Sequence, residues 1–147
     1  MDYLSAFEIS ASGMAVEKTR LDTVALNLAN INTTTDKYGG LYTPLRVVSQ
    51  VKYNQNFDHH FNNALNNNLP AGVEVSEIRQ LSVEPRLVYE PSHPHADTNG
   101  FVSYPGINHV TEMVTMIESL RVYQANVKAV NAAKTMAQQA LEIGSGK

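Results

Sequence analysis

Two stretches of the chain repeat apolar residues at three- and four-residue steps, and the stretch between them does not. From Asn108 to about Ile143 the apolar positions include Met113, Met116, Ile117, Leu120, Tyr123, Val127, Val130, Ala133, Ala137 and Leu141, with no Pro or Gly to interrupt them. This spacing predicts one long amphipathic helix. At ~1.5 Å per residue it makes a rod of roughly 50 Å, which needs another surface along its length. From Leu4 to about Ala29 a second seam runs through Leu4, Phe7, Ala11, Met14, Lys18, Leu21, Ala25 and Leu28, apolar except at Lys18. An a/d pattern sustained in this way marks a helix that lies along another helix. Ser10, Ser12 and Gly13 predict a bend or break in its middle, because Gly costs ~1 kcal/mol relative to Ala inside a helix. The helix is expected to end in NLANINTTTDKYGG, where Asn, Thr, Asp and paired Gly favour turns.

The period changes in the middle. YTPLRVVSQVKY, GVEVSEIRQL, EPRLVYEP and GFVSYP read as short strands rich in Val, Ile, Tyr and Leu, set apart by Pro, Gly, Asn and Asp. All six prolines fall between residues 44 and 105, so both terminal helices are free of them. An Asn-rich loop over 54–72 separates the first two strands, and Phe57, Phe61, Leu65 and Leu69 within it could form one docked turn. The expected fold class is α+β: long N- and C-terminal helices packed as a coiled-coil-like pair, with a small antiparallel β-rich middle. The expected segments are 1–34 for the first helix and its turn, 35–107 for the middle, and 108–147 for the second helix.

Composition narrows the function. The 147 residues suffice for one core and not two. The charge of −3, from 11 Lys and Arg against 14 Asp and Glu, includes no concentrated basic stretch, so no nucleic acid is expected as a partner. No run is long and apolar enough for a membrane helix, and the opening MDYLSAFEIS is acidic where a signal peptide is basic. Cysteine is absent, which excludes disulfides and thiol catalysis.

Candidate chemistry is sparse. His93-Pro-His95-Ala-Asp97 could turn two imidazoles and a carboxylate to one side of an extended chain, but the same residues read more simply as a polar turn. His59-His60 are adjacent in the Asn-rich loop, and Glu74 and Glu77 lie in a strand where they are expected to face water. There is no Gly-x-Ser-x-Gly elbow, no Gly-rich phosphate loop and no His-Glu-x-x-His. The expectation is a protein that is not an enzyme, with no catalytic residues, no metal, no cofactor and no small-molecule substrate. Its working surface is expected to be the two seams: Leu4, Phe7, Ala11, Met14, Leu21 and Leu28 on the first helix, and Met113, Ile117, Leu120, Tyr123, Val127, Val130, Ala137 and Leu141 on the second. Two helices this long cover only one flank of each other. Ile117, Val122, Ala125, Ala129 and Ala132 widen the apolar surface beyond one seam, which favours contact with neighbouring subunits.

Two motifs make this more specific. ALNLANINTT, from Ala25 to Thr34, resembles the signature at the end of the N-terminal helix in bacterial flagellar rod, hook and hook-associated proteins. The run LVYEPSHPHADTNGFVSYPGINHVTEMVTMIESLRVYQANVKAVN, from Leu87 to Asn131, is similar to the C-terminal half of proximal-rod subunits of that family. The chain departs from that pattern at Phe101, where Tyr is usual, at Tyr42-Thr43-Pro44, and in its Asn-rich loop. The resemblance maps Asn27, Ala29 and Asn30 onto the signature turn, and Arg121, Tyr123, Gln124 and Asn126 onto the C-terminal motif. It implies a structural subunit of the flagellar basal-body rod, polymerising through its terminal helices into a periplasm-spanning drive shaft and export conduit. The partners it implies are other copies of the chain, other rod subunits and the flagellar type III export apparatus, which would export it without a cleavable signal peptide. The alternatives are a different axial rod subunit, or a soluble helical adaptor or chaperone of a secretion system, for which a stable dimer and no β-rich middle are expected.

Overall fold

The first seam folds as a single helix, α1 (Tyr3–Ala29), and the last third of the chain as a second, α2 (His109–Gly144). The computed structural model describes residues 3–34, 40–52 and 72–144, with the side chains of Tyr3 and Leu4 outside that set. The expected Asn-rich loop, with its His59-His60 pair and the docked turn of Phe57, Phe61, Leu65 and Leu69, therefore lies outside the described residues. The helix α2 opens on Asn108, whose Oδ1 accepts the backbone N–H groups of Val110 at 3.0 Å and Thr111 at 3.2 Å. That cap satisfies donors that have no partner within the helix, and Glu112 adds a negative charge to the first turn, where the helix dipole favours it. No described helix is long and apolar enough to cross a membrane.

The four expected strands all form, as β1 (Leu45–Val51), β2 (Val73–Gln80), β3 (Arg86–Tyr89) and β4 (Phe101–Tyr104). They make two separate pairs, β1 with β2 and β3 with β4. Hydrogen bonds from Lys52 N–H to Gly72 and from Leu81 N–H to Pro44 close the two ends of the first pair and make it antiparallel. The second is antiparallel in the register Arg86 opposite Tyr104, Leu87 opposite Ser103, Val88 opposite Val102 and Tyr89 opposite Phe101. Glu74 and Glu77 face water as expected. Glu74 accepts from Gln50 across the first pair, and Glu77 binds Arg79.

The described chain divides into two compact units, each drawing on both helices and on the middle. In the first (residues 1–19, 49–76 and 119–147) the buried residues among those described are Val16, Glu17, Gly72, Ser119 and Ala133. Here the expected break at Ser12 and Gly13 does not occur, because tertiary contacts use both residues. Ser12 Oγ donates to Ile9 O at 2.7 Å and accepts Val73 N–H at 3.1 Å, joining α1 to the start of β2. A Cβ on Gly13 would lie 2.8 Å from Asn126 Nδ2, so the missing side chain is room for α2. Gly72, at φ +121°, holds a conformation that L side chains rarely adopt and sits against Ser12.

The second unit (20–48 and 77–118) has the larger core. Thr23, Val24, Asn27, Val47, Val102 and Pro105 are buried there. The chain passes from β4 towards α2 so closely over the β2–β3 connection that a Cβ on Gly106 would meet the carbonyl oxygen of Glu84 and Cγ1 of Val83. Since one of those atoms is backbone, the clash cannot be relieved by a rotamer change. Gly106→Ala is therefore expected to lower stability by about 2 kcal/mol, within the range for overpacked sites, read as a fall in the urea midpoint of the purified chain.

The inner face of α1 differs from the expected seam. Burial follows Val16, Thr23, Val24 and Asn27, whereas Met14, Leu21 and Leu28 are half-buried and Phe7, Lys18 and Ala25 are exposed. The inner face is rotated from the seam by about one residue, roughly 100° around the helix. The reason is chemical: that face includes the polar residues Glu17, Thr23 and Asn27, and Asn27 finds partners in the tertiary structure, which no apolar pattern registers.

Candidate assembly interface

A single amide organises the second unit. Asn27, in the last turn of α1, is 1% exposed and uses its full hydrogen-bonding capacity. Its Nδ2 donates to Leu45 O at 2.9 Å and to Glu112 Oε2 at 3.2 Å. Its Oδ1 accepts Leu45 N–H at 2.9 Å and Tyr42 O–H at 3.0 Å. The side chain thus takes the place of a strand partner at the start of β1 while tying the end of α1 to the first turn of α2. Asn30 has a different task. Its Nδ2 donates to Leu26 O at 2.8 Å, and its own carbonyl accepts both the N–H and the hydroxyl of Thr33, finishing the helix. Ala29, between them, is exposed.

Burial first, and then the negative charge of Glu112, hold the Tyr42 phenol above its ordinary value near 10. A folded-state pKa raised above the unfolded one contributes stability that is complete below the unfolded pKa and is lost as pH rises through the folded one. The chain should therefore lose stability above about pH 10, and Tyr42→Phe should flatten that alkaline fall. Thermal melting of both forms across that window is the check. Tyr104, raised by burial and then by Glu90, to which it donates a hydrogen bond, shifts in the same direction. Tyr42→Phe thus removes only part of the slope.

The polar turn formed by His93, Pro94, His95, Ala96 and Asp97 is held by its own backbone. His93 N–H bonds Glu90 O, Ala96 N–H bonds His93 O, and Asp97 N–H bonds Phe101 O. His93 Nδ1 accepts His95 N–H at 3.1 Å, and His95 Nδ1 lies 2.8 Å from Thr34 Oγ1. These residues form a polar turn, in which His93 bonds within the turn and His95 reaches Thr34 in the segment after α1.

The two terminal helices leave much apolar surface uncovered. On α2, Tyr123, Val127, Val130 and Ala137 are half-buried, on the face that carries buried Ser119 and Ala133. Met113, Ile117, Leu120 and Leu141 are exposed, with Leu120 at 45%. Val110, Met113, Ile117 and Leu120 follow one another at three- and four-residue steps, a stripe turned away from the inner face. On α1, Phe7 is exposed, Ala11, Met14, Leu21 and Leu28 are half-buried, and the side chain of Leu4 lies outside the described ones. In the C-terminal motif Arg121 and Gln124 are exposed and Tyr123 is half-buried, while Asn126 fills the space left by Gly13.

Pattern reading missed Tyr42, Leu45 and Glu112 around Asn27, and Ser12 as the seat of β2. No local signal marks them, since each acts across a long sequence separation. It also missed the exposed face of the β3–β4 hairpin, Leu87, Tyr89 and Phe101. Here a signal existed: LVY and FV are apolar on both sides of a strand pair, where one wet face would read polar.

A family model described as flagella basal body rod protein matches residues 7–35, and one described as the C-terminal part of flagellar basal body rod FlgEFG proteins matches residues 98–143. Flagellar basal-body rod protein FlgC of Bacillus subtilis is 37% identical over 149 residues, covering 98% of this chain and 99% of that protein. FlgC of Salmonella typhimurium is 35% identical over 144 residues, covering 98% and 99%. FlgC of Aquifex aeolicus is 38% identical over 145 residues, covering 97% of each. The two model matches coincide with α1 and its cap and with α2 and its approach.

Proposed function

The chain belongs to the flagellar basal-body rod proteins, in the FlgC family, and from that membership we propose that its terminal helices are the surfaces through which it polymerises. It is a structural subunit of the proximal rod and assembles with other rod components in the basal body. The observation that carries the interface reading is the uncovered stripe Val110, Met113, Ile117 and Leu120 on α2. Full burial of such a side chain is worth ~1.5–3 kcal/mol, and these four, between 39% and 69% exposed, leave roughly half of that to be recovered by burial against neighbours. The Asn27 node fixes the end of α1 against the start of α2, so that these two helix ends meet a neighbour as one preset surface.

In this reading copies of the chain contact each other and the adjoining rod subunits head to tail, a heterologous contact that gives an open helix rather than a closed pair. The tube so formed transmits torque and encloses a conduit. The flagellar type III apparatus exports the subunit. The family motif divides its work accordingly: Asn27, Asn30 and Asn126 serve the chain's own packing, and exposed Arg121 and Gln124 are available to neighbours.

Deletion of the gene, followed by electron microscopy of isolated basal bodies and a swimming assay, tests the function. Loss of rod and hook with the membrane base retained is the expected result. Intact, rotating flagella would remove the rod role.

A further inference from the structure

The turn that joins β3 to β4 is tied to the segment after α1 through two histidines, and only one of them faces a donor that cannot change. His93 Nδ1 accepts the backbone N–H of His95 at 3.1 Å, which leaves the ring proton on Nε2. His95 Nδ1 lies 2.8 Å from Thr34 Oγ1, a hydroxyl that can donate or accept. The Thr34 contact therefore survives a change of charge on His95, whereas the His93 bond does not survive one on His93. A protonated His93 would turn an N–H towards an N–H. The two rings also stand only 5.5 Å apart, so a charge on one opposes a charge on the other.

We propose that this turn is a proton-sensitive latch, closed on the end of α1 while His93 is neutral and released when His93 is protonated. All of its parts lie in the second unit. Histidine is the side chain that ordinarily changes charge between about pH 5 and 8, so the latch is closed at the upper end of that window and opens as pH falls. The sign follows from the bond, because the neutral ring is the acceptor and acid removes it. Two carboxylates lie in the same turn, and other donors hold both. Glu90, which bounds the same hollow as His93, accepts Tyr104 O–H from β4 at 3.2 Å. Asp97 Oδ1 accepts the N–H and the hydroxyl of Thr98 at 2.6 and 3.2 Å. Arg86, the cation of β3, lies over the Tyr104 ring. From the α1 side the described neighbour is the uncharged Thr34, and Asp36 and Lys37 beyond it lie outside the described residues. Opening removes the bond that orients the His95 backbone, and with it the ring that reaches Thr34. His93 N–H stays on Glu90 O and Ala96 N–H on His93 O, so the release is local.

Amide NMR of the purified chain, titrated from about pH 8 to about pH 5, is the test. In the parent the His95 amide resonance moves in one step. Its exchange with water, taken relative to an unstructured chain at each pH, rises roughly fivefold, as the loss of one hydrogen bond implies. The Thr34 amide moves in the same step. His93→Asn offers a side-chain oxygen to the same N–H in an Asx turn and does not titrate, so both resonances stay still. His95→Asn leaves the backbone N–H of position 95 on His93 Nδ1, and the step there remains. No step in the parent overturns the proposal, as does a step that persists in His93→Asn, one that vanishes in His95→Asn, or a Thr34 amide that does not move with it. The latch works within one copy of the chain, so its failure is distinct from failure of the rod role.

Discussion

Leu120→Asp is expected to abolish swimming and rod assembly while leaving the purified chain as stable as the parent. Leu120 stands 45% exposed on the outer stripe of α2, so a carboxylate there meets water in the free subunit. Exposed substitutions of this kind ordinarily change stability by no more than about 0.5 kcal/mol. In the assembled rod the same carboxylate would be pressed into an apolar contact with no partner. An unpaired buried charge costs about 3 kcal/mol or more, which is over a hundredfold in affinity at every copy of the contact. Thermal melting of the purified variant, run beside a swimming assay and microscopy of basal bodies, reads both halves. Normal swimming would remove Leu120 from the interface, and a large fall in melting temperature would move its role into the fold. Val127→Asp does not separate these effects. Val127 is half-buried on the inner face of α2, and a charge there disturbs the chain's own packing as well as any assembly.

The second large effect is the reverse case, a loss of fold with assembly failing only in consequence. Asn27→Ala removes four hydrogen bonds at once and leaves Leu45 N–H and C=O, at the head of β1, without their amide partner. Each buried polar group so orphaned costs ~1–3 kcal/mol, and the expected sum is about 4 kcal/mol. That is a large part of the ~5–15 kcal/mol that holds a typical domain together. Asn27→Asp should also be severe. It keeps the acceptor but loses both donors and places a second carboxylate against Glu112, where the amide now donates at 3.2 Å. Asn30→Ala is the contrast, expected to cost about 1 kcal/mol because Asn30 only finishes a helix end. Urea unfolding of the three variants ranks them. Equal midpoints for Asn27→Ala and Asn30→Ala would show that the node is not what binds α1 to β1.

Leu120 and Asn27 differ in how far along the chain their partners lie. Leu120 was legible from spacing alone, because an apolar residue at a three- or four-residue step needs only its neighbours in sequence to be noticed. Asn27 was legible only as part of a family motif, without a role. Its partners lie 15, 18 and 85 residues away. No local rule connects an asparagine at a helix end to a tyrosine, a strand terminus and a glutamate at that range. Ser12 and Gly13 show the same limit with the opposite sign. Read locally they weaken a helix, and in the structure they seat β2 and α2 against it.

The sequence by itself determined the two long helices, the four short strands between them, the polar turn at His93–Asp97 and the absence of cysteine chemistry, because each follows from periodicity, turn residues or composition within a short window. It also carried the motifs that place the chain in its family. Only the tertiary structure decided which side of α1 faces inward, since burial there follows hydrogen-bond satisfaction as well as apolarity, and Asn27 is buried where Phe7 is not. It alone decided that the strands form two separate pairs and that one hairpin turns an uncharged aromatic face to solvent. Those outcomes depend on which distant groups meet, and a pattern along one dimension holds no record of that meeting.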